Sequence, residues 1–262
     1  MPIVVNSNAS ATTASFNLSR ANDALRKSLG RLSSGNRISN PADDAGGLAV
    51  AYKLNSKASR TSAILQNTQN ALSYLQVQDS GLQTAGKIVD RMAELRVMAQ
   101  DITKNTQDIE NYSKEFVELQ SQLNQVSKEK FNGISLFASS TVTAVGLLET
   151  GTASFGSTSY NTASRTLLTH DSGVSTSGSI KLNVVNFQFM LSIGSTSSGG
   201  SGIDLGNIDA GTAGNSELNS DGFISDITEV TVSQFTNIIE RIADMRAENG
   251  AEQNRVLTTV DQ

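Results

Sequence analysis

Cysteine and tryptophan are absent from this 262-residue chain, and histidine occurs only once, at His170. The lack of cysteine excludes disulfide bonds, a thiolate nucleophile and cysteine-ligated metals. With one imidazole, a single chain cannot form a multi-histidine metal site, and a Ser-His-Asp relay would depend on that one residue. We therefore expect no catalytic site, no cofactor and no bound metal.

Long hydrophobic runs and an excess of positive charge are also missing. The formal net charge is −5, from 20 lysines and arginines against 25 acidic residues, so the chain lacks the positive field of a nucleic-acid-binding protein. No segment has the roughly 18 consecutive apolar residues of a membrane-spanning helix. The opening MPIVVNSNASATT lacks the basic and apolar regions of a cleaved export signal. The sequence predicts no nucleic-acid partner, no membrane insertion and no classical signal peptide.

The composition divides the chain into three segments. Residues 138–222 hold 17 Ser, 11 Thr and 13 Gly but only 8 of the 45 charged residues, which sets this middle segment apart from its flanks. The flanks are rich in Ala, Leu, Gln, Lys and Glu, and the only prolines are Pro2 and Pro41, so long stretches are free to be helical. We expect two helical arms that enclose an insert.

The first arm opens with an amphipathic pattern that predicts a helix over about residues 10–34, ended by Gly35. Its narrow apolar stripe is a candidate polymer contact. The stripe consists of Phe16, Leu18, Ala21, Leu25, Leu29 and Leu32.

A second helix is predicted over residues 41–102. Asn40 is its candidate N-cap, Pro41 takes the first helical position, and the acidic pair Asp43-Asp44 complements the helix dipole. The apolar seam shifts by one position near residues 81–86, which predicts a stutter. The seam consists of Ala51, Leu54, Ala58, Leu65, Leu72, Leu75, Leu82 and Val89, then Ala85, Ile88, Met92, Leu95, Ala99 and Ile102.

A third apolar pattern, at alternating spacings of three and four, predicts an antiparallel return helix. It consists of Ile109, Tyr112, Phe116, Leu119, Leu123 and Val126. The return helix leads into FNGISLF, residues 131–137, where Asn132-Gly133 between apolar residues predicts a two-residue hairpin turn.

The closing arm carries a similar seam, made of Phe235, Ile238, Ile242, Met245, Asn249, Glu252 and Val256. No single helix can bury its own stripe. We therefore predict a mainly α protein, an elongated antiparallel helical coiled-coil bundle built from both chain ends, with residues 41–130 packed on 231–260.

The insert is predicted to be a small β-rich outer domain. Alternating apolar residues from Ile180 to Leu191 predict a strand with a bulge near Val184-Val185. The abundant Ser and Thr are compatible with O-glycosylation of an exposed surface, and equally with an unmodified polar domain.

Three stretches resemble bacterial flagellins: LGRLSSGNRISNPADDAGGLAVAYKL (29–54), EKFNGISLF (129–137) and MRAENGAEQNRV (245–256). They are similar to the family's N-terminal signature, to the turn that closes its helical core and to its C-terminal helix. The resemblance implies four segments. These are a terminal helix for inner-tube packing in 1–40, a helical core with a closing hairpin in 41–137, a variable insert in 138–222, and a C-terminal helix completing the core in 223–262.

The resemblance implies a structural subunit that polymerises into the extracellular flagellar filament for motility and is exported without a cleaved signal peptide. Its implied partners are other flagellin subunits, an export chaperone, a cap protein and hook-associated proteins. In the family the C-terminal helix continues past QNR into a helix that pairs with the N-terminal one, whereas this sequence stops at Gln262. We expect either a shortened form of the protein or the loss of part of the polymer contact.

Two other functions stay open. A hook-filament junction protein would share the terminal architecture, although the close match of LSSGNRISNPADDAGGLAVA favours the filament. A coiled-coil surface adhesin unrelated to flagella would explain the heptads but would not need the FNG hairpin.

The resemblance also implies recognition by a vertebrate Toll-like receptor through an Arg, a Leu and a Glu that match Arg91, Leu95 and Glu118. Arg91 and Leu95 lie four residues apart, hence on one helix face, and the return helix can bring Glu118 beside them. Alternatively, Arg91 pairs with Glu94 or Asp90 on its own helix, and Leu95 is buried in the seam.

Overall fold

The computed structural model describes residues 9–138, 148–155, 158–193, 203–205 and 222–260. The helices are α1 (Ala9–Ser34), α2 (Ala45–Ala99), α3 (Thr106–Ser127), α4 (Phe187–Leu191) and α5 (Val232–Val260), with a 3-10 turn at Ile227–Glu229. The strands are β1 (Lys130–Phe131), β2 (Ile134–Ser135), β3 (Phe137–Ala138), β4 (Leu148–Phe155), β5 (Thr158–Leu168), β6 (Ser179–Asn186), β7 (Ser192–Ile193) and β8 (Ile203–Asp204). Contacts divide the chain into two units, residues 1–60 and 61–262.

In the first unit, α1 confirms the predicted N-terminal helix. It has no buried residue, and Gly35 at φ +68° follows its end, a backbone conformation that glycine adopts without strain.

The start of α2 differs from the prediction. Residues 41–43 form a turn, in which the Asp43 N–H donates to the Asn40 carbonyl, and the helix begins at Ala45. Its N-cap is Asp44, whose Oδ1 accepts from the Gly47 N–H at 2.8 Å. A Cβ on Gly47 would lie 2.3 Å from the Asp44 carboxylate, so glycine is needed for this cap. The predicted N-cap at Asn40, with the helix starting at residue 41, is therefore wrong.

Asp43 has a different role from its neighbour. Its carboxylate pairs with Lys27 and, at 3.6 Å, with Arg31, both on α1. The hydrogen bond from Lys27 lowers the pKa of Asp43. The acidic pair thus divides into one helix cap and one ion-pair acceptor.

In the second unit, the C-terminal part of α2 forms a helical bundle with α3 and α5. Its buried positions form three columns at a constant spacing of seven, so the predicted stutter is wrong. The columns are Ala71, Gln78, Ala85, Met92 and Ala99; Tyr74, Gly81, Ile88 and Leu95; and Leu75, Leu82 and Val89. The helix ends at Ala99 instead of 102, and Ile102 is 99% exposed.

The hairpin after α3 confirms the prediction. Lys130 pairs with Ser135 and Phe131 with Ile134. Asn132 and Gly133 between them have φ of 49° and 79°, the positive values that a type I′ turn requires.

The insert contributes a four-stranded sheet in the order β3-β6-β5-β4, in which only the β3–β6 pair is parallel. Strand β6 is continuous through Val184 and Val185, and the chain then turns into α4, capped by the Asn186 side chain on the Phe189 N–H at 3.0 Å. The predicted bulge and the extension of the strand to Leu191 are therefore wrong. All five residues of α4 are buried.

Buried residues of the insert and of the bundle belong to one hydrophobic cluster. Leu182, Val185 and Phe187 lie in it together with Leu75 and Phe235. The domain boundaries at residues 40, 137 and 222 stay predictions.

Candidate functional site

The apolar stripe of α1 is the most exposed hydrophobic surface of the first unit. Its five large members, Phe16, Leu18, Leu25, Leu29 and Leu32, are each more than half exposed. Their helical spacing puts them on one side of a helix that buries none of its own residues. A contiguous apolar stripe of this kind is typical of a surface that binds another protein.

The remaining predicted packing residues fall into three environments. Leu123, Phe235 and Ile242 are buried, and the rings of Phe116 and Phe235 meet edge to face with centroids 6.2 Å apart. Two others are partly buried against the core, Leu72 and Leu119. Leu65 is 40% exposed.

A buried polar network crosses the bundle, and the apolar pattern gave no indication of it. Gln78 is fully buried; its Nε2 donates to the Leu136 carbonyl at 2.8 Å and its Oε1 accepts from Asn249 Nδ2 at 2.6 Å. Asn249 in turn accepts from Gln253. The network joins α2, the segment before β3 and α5, and because each bond needs one alignment, it fixes their axial register. The usable signal was Asn249, a polar residue at a seam position.

A second polar contact joins α5 to the insert. Both carboxylate oxygens of Glu252 lie 2.9 Å from the Asn183 backbone nitrogen, and Glu248 Oε2 accepts from Asn183 Nδ2 at 3.0 Å. Burial raises the pKa of Glu252 to about 7 and also raises the pKa of Glu248. The carboxylates face a cleft of about 370 Å³ that Lys181 and Arg255 also line.

Arg241 on α5 holds the chain that follows α4. Its Nη1 donates to the Phe189 carbonyl and to Ser192 Oγ, and its Nη2 donates to the Ser192 carbonyl, all at 2.7 Å. The guanidinium also lies 5.4 Å from the Phe189 ring centroid. Burial lowers its pKa, but three hydrogen bonds to oxygen satisfy its donors.

The structure does not bring the predicted receptor residues together on one exposed surface. Arg91 donates to Glu115 at 2.8 Å and to Glu94 at 3.1 Å. Glu118 is exposed, whereas Leu95 has no accessible surface. The receptor patch stays a prediction, with two of its three side chains in solvent.

Metal and membrane sites were also considered. In the ranges that the structure describes, no group of three or more His, Asp or Glu residues is placed to hold a metal ion. Among the described helices, none combines the length and hydropathy needed to cross a membrane.

Comparison with known proteins gives consistent matches. Residues 5–141 match the family described as bacterial flagellin N-terminal helical region. Flagellin A of Vibrio cholerae is 32% identical over 128 residues, which cover 49% of this chain and 34% of that protein. The flagellar filament 33 kDa core protein of Treponema phagedenis is 32% identical over 135 residues, 51% of this chain and 47% of that protein.

The fold is shared with a solved structure designated a flagellar hook-associated protein from Vibrio parahaemolyticus. Its TM-score is 0.54 at 15% identity, over 85% of this chain and 93% of that one. The matched segment spans between about a third and a half of the curated relatives named above. The family match covers more than half of the chain and includes two of the three resembling stretches. The chain therefore belongs to the bacterial flagellin family.

Proposed function

We propose that this protein is a structural subunit that polymerises into the extracellular filament of the bacterial flagellum, and that it is not an enzyme. The observation that carries the proposal is the α1 stripe, a row of exposed apolar side chains on a 26-residue helix without a buried residue. A helix of this kind gains little from packing within its own chain. Copies that add along a non-closing rotation would cover the stripe and form an open helical polymer.

The proposed partners follow from the same function. Other flagellin subunits would contact α1, and hook-associated proteins would join the filament to its base. An export chaperone and a cap protein would act before and during assembly, with export occurring without a cleaved signal peptide. Family membership supports these partners.

Recognition by a Toll-like receptor is a further part of the proposal. Arg91 and Glu118 would contact the receptor, while the buried Leu95 would support α2 beneath them. If the two charged residues are hot spots, Arg91→Ala and Glu118→Ala should each weaken monomer binding by at least about 1 kcal/mol. Unchanged binding of both variants would remove them from the contact.

The polymer contact is tested in the producing bacterium with Leu25→Asp. The added charge should prevent burial of the stripe, so the secreted variant should be depleted from purified filaments, as measured by mass spectrometry. Ser19→Asp adds the same charge on α1 away from the stripe and should be incorporated like the wild type. Filaments that contain Leu25→Asp at the wild-type level would contradict the proposed contact.

A further inference from the structure

The Asn183 backbone N–H has no strand partner on the β3 side of β6. Strand β3 begins at Phe137, whose register partner is Val185, so Asn183 lies before the first β3–β6 pair. The Glu252 carboxylate occupies this position and accepts the unpaired N–H with both oxygens at 2.9 Å. One side chain of α5 thereby replaces a neighbouring strand.

Charged groups from several elements surround this carboxylate. On α5 itself, Glu248 and Arg255 flank Glu252. Lys181 on β6 lines the same cleft, with the hydroxyl groups of Thr162 and Ser164 on β5. Tyr74 on α2 and Arg165 on β5 interact on the buried side, and Tyr74 also senses the charge of Glu252.

The balance of these groups favours the neutral carboxyl. Desolvation is the largest cause of the raised pKa of Glu252, about 7, and the charge of Glu248 adds to it. The Asn183 hydrogen bond and Arg255 act in the opposite direction. Between the ordinary value, 4.5, and about 7, the closed arrangement holds a proton that an opened, solvated Glu252 would release. Closure is therefore coupled to proton uptake.

We propose that Glu252 is a proton-operated latch between α5 and the inserted sheet, closed on strand β6 when the carboxyl is neutral and loosened when it is ionised. The sign follows from linkage. The folded-state pKa lies above the unfolded one, so stability is gained as the pH falls through about 7 and is complete below 4.5. Above neutral pH, the latch carries a charge in a largely buried position.

The test is hydrogen exchange at the Asn183 amide, followed by NMR on the full chain between about pH 5.5 and about pH 8.5. Every sample carries His170→Asn, so that the single imidazole contributes nothing to the profile. After correction for the intrinsic exchange rate, Asn183 protection should rise by up to about tenfold per pH unit below pH 7. Glu252→Gln keeps the acceptor without the charge and should give a flat profile, with more protection than the wild type at the alkaline end.

Glu240→Gln removes a carboxylate from an exposed position on the same helix and should keep the wild-type profile. A shared profile for the wild type and Glu252→Gln, or wild-type protection independent of pH, would overturn the proposal. Should Glu252→Gln lose its helical circular dichroism, the decision rests on Glu248→Gln. That variant should move the wild-type midpoint to lower pH, and an unmoved midpoint would count against the latch.

Discussion

The side-chain amide of Gln120 forms both hydrogen bonds of a ladder pair with the backbone of Ile224. Its Nε2 donates to the Ile224 carbonyl at 2.9 Å, and its Oε1 accepts from the Ile224 N–H at 3.0 Å. Gln120 is fully buried and Ile224 nearly so. This pair fastens α3 to a segment 104 residues later in the chain.

We predict that Gln120→Leu lowers the free energy of unfolding by about 1–3 kcal/mol, because it leaves two buried backbone groups unpaired. Urea unfolding followed by circular dichroism measures the change. Gln122→Leu makes the same replacement at an exposed position on α3 and should stay within about 0.5 kcal/mol of the wild type. Equal effects of the two substitutions would show that the Ile224 pair does not contribute.

Leu123 has no exposed surface, whereas Leu119 on the same helix is only partly buried. Leu123→Ala should destabilise the bundle by about 2–5 kcal/mol, through lost burial and the cavity that remains. Leu119→Ala should cost less, because solvent already reaches part of that site. A larger loss for Leu119→Ala in the same unfolding measurement would place the core on the wrong side of α3.

Two glycines on α2 give opposite predictions for the same substitution. A Cβ on Gly81 would lie 2.8 Å from Phe137 Cζ, while one on Gly86 would lie 3.7 Å from Ile242 Cγ2. The Phe137 ring is buried and stacks on Phe187 at a centroid distance of 4.6 Å, so it cannot move freely. We expect Gly81→Ala to destabilise by about 1–3 kcal/mol and Gly86→Ala to stabilise by up to about 1 kcal/mol. Thermal unfolding of the two variants decides, and equal melting temperatures would contradict the close packing at Gly81.

Hydrogen exchange should separate α1 from the bundle part of α2. No residue of α1 is buried, whereas Leu75, Leu82, Val89 and Met92 on α2 have no exposed surface. In a verified monomer, amides of 9–34 should exchange quickly and those of 71–99 slowly, because local opening of α1 exposes no core. Strong protection of 9–34 would mean that α1 has a partner within the chain.

Local signals made much of the helical part predictable. Helical periodicity and Gly35 located α1 almost to the residue, and Asn132-Gly133 identified the hairpin, because these features depend on neighbouring residues alone. The start of α2 was missed since Asn40 and Asp44 are both acceptable caps. The structure selects Asp44, whose carboxylate approaches a glycine three residues later.

Nonlocal contacts could not be predicted from the sequence in this way. The pairing of β6 with β3 brings together residues 48 apart, as in Phe137 and Val185. Phe187 and Phe189 continue the alternation of β6, but burial of α4 on the core outweighs that pattern. Gln78 and Glu252 are polar residues whose partners lie on other elements, so an apolar pattern carries no information about their bonds.

The central claim is that copies of this chain form the length of the flagellar filament. Immunogold electron microscopy of the producing bacterium, with an antibody raised against residues 158–193, tests it most directly. The account predicts gold particles along the whole filament. Label confined to the filament base would instead assign the protein to the hook-filament junction, and label on the cell surface independent of flagella would indicate an adhesin; either result would contradict the account.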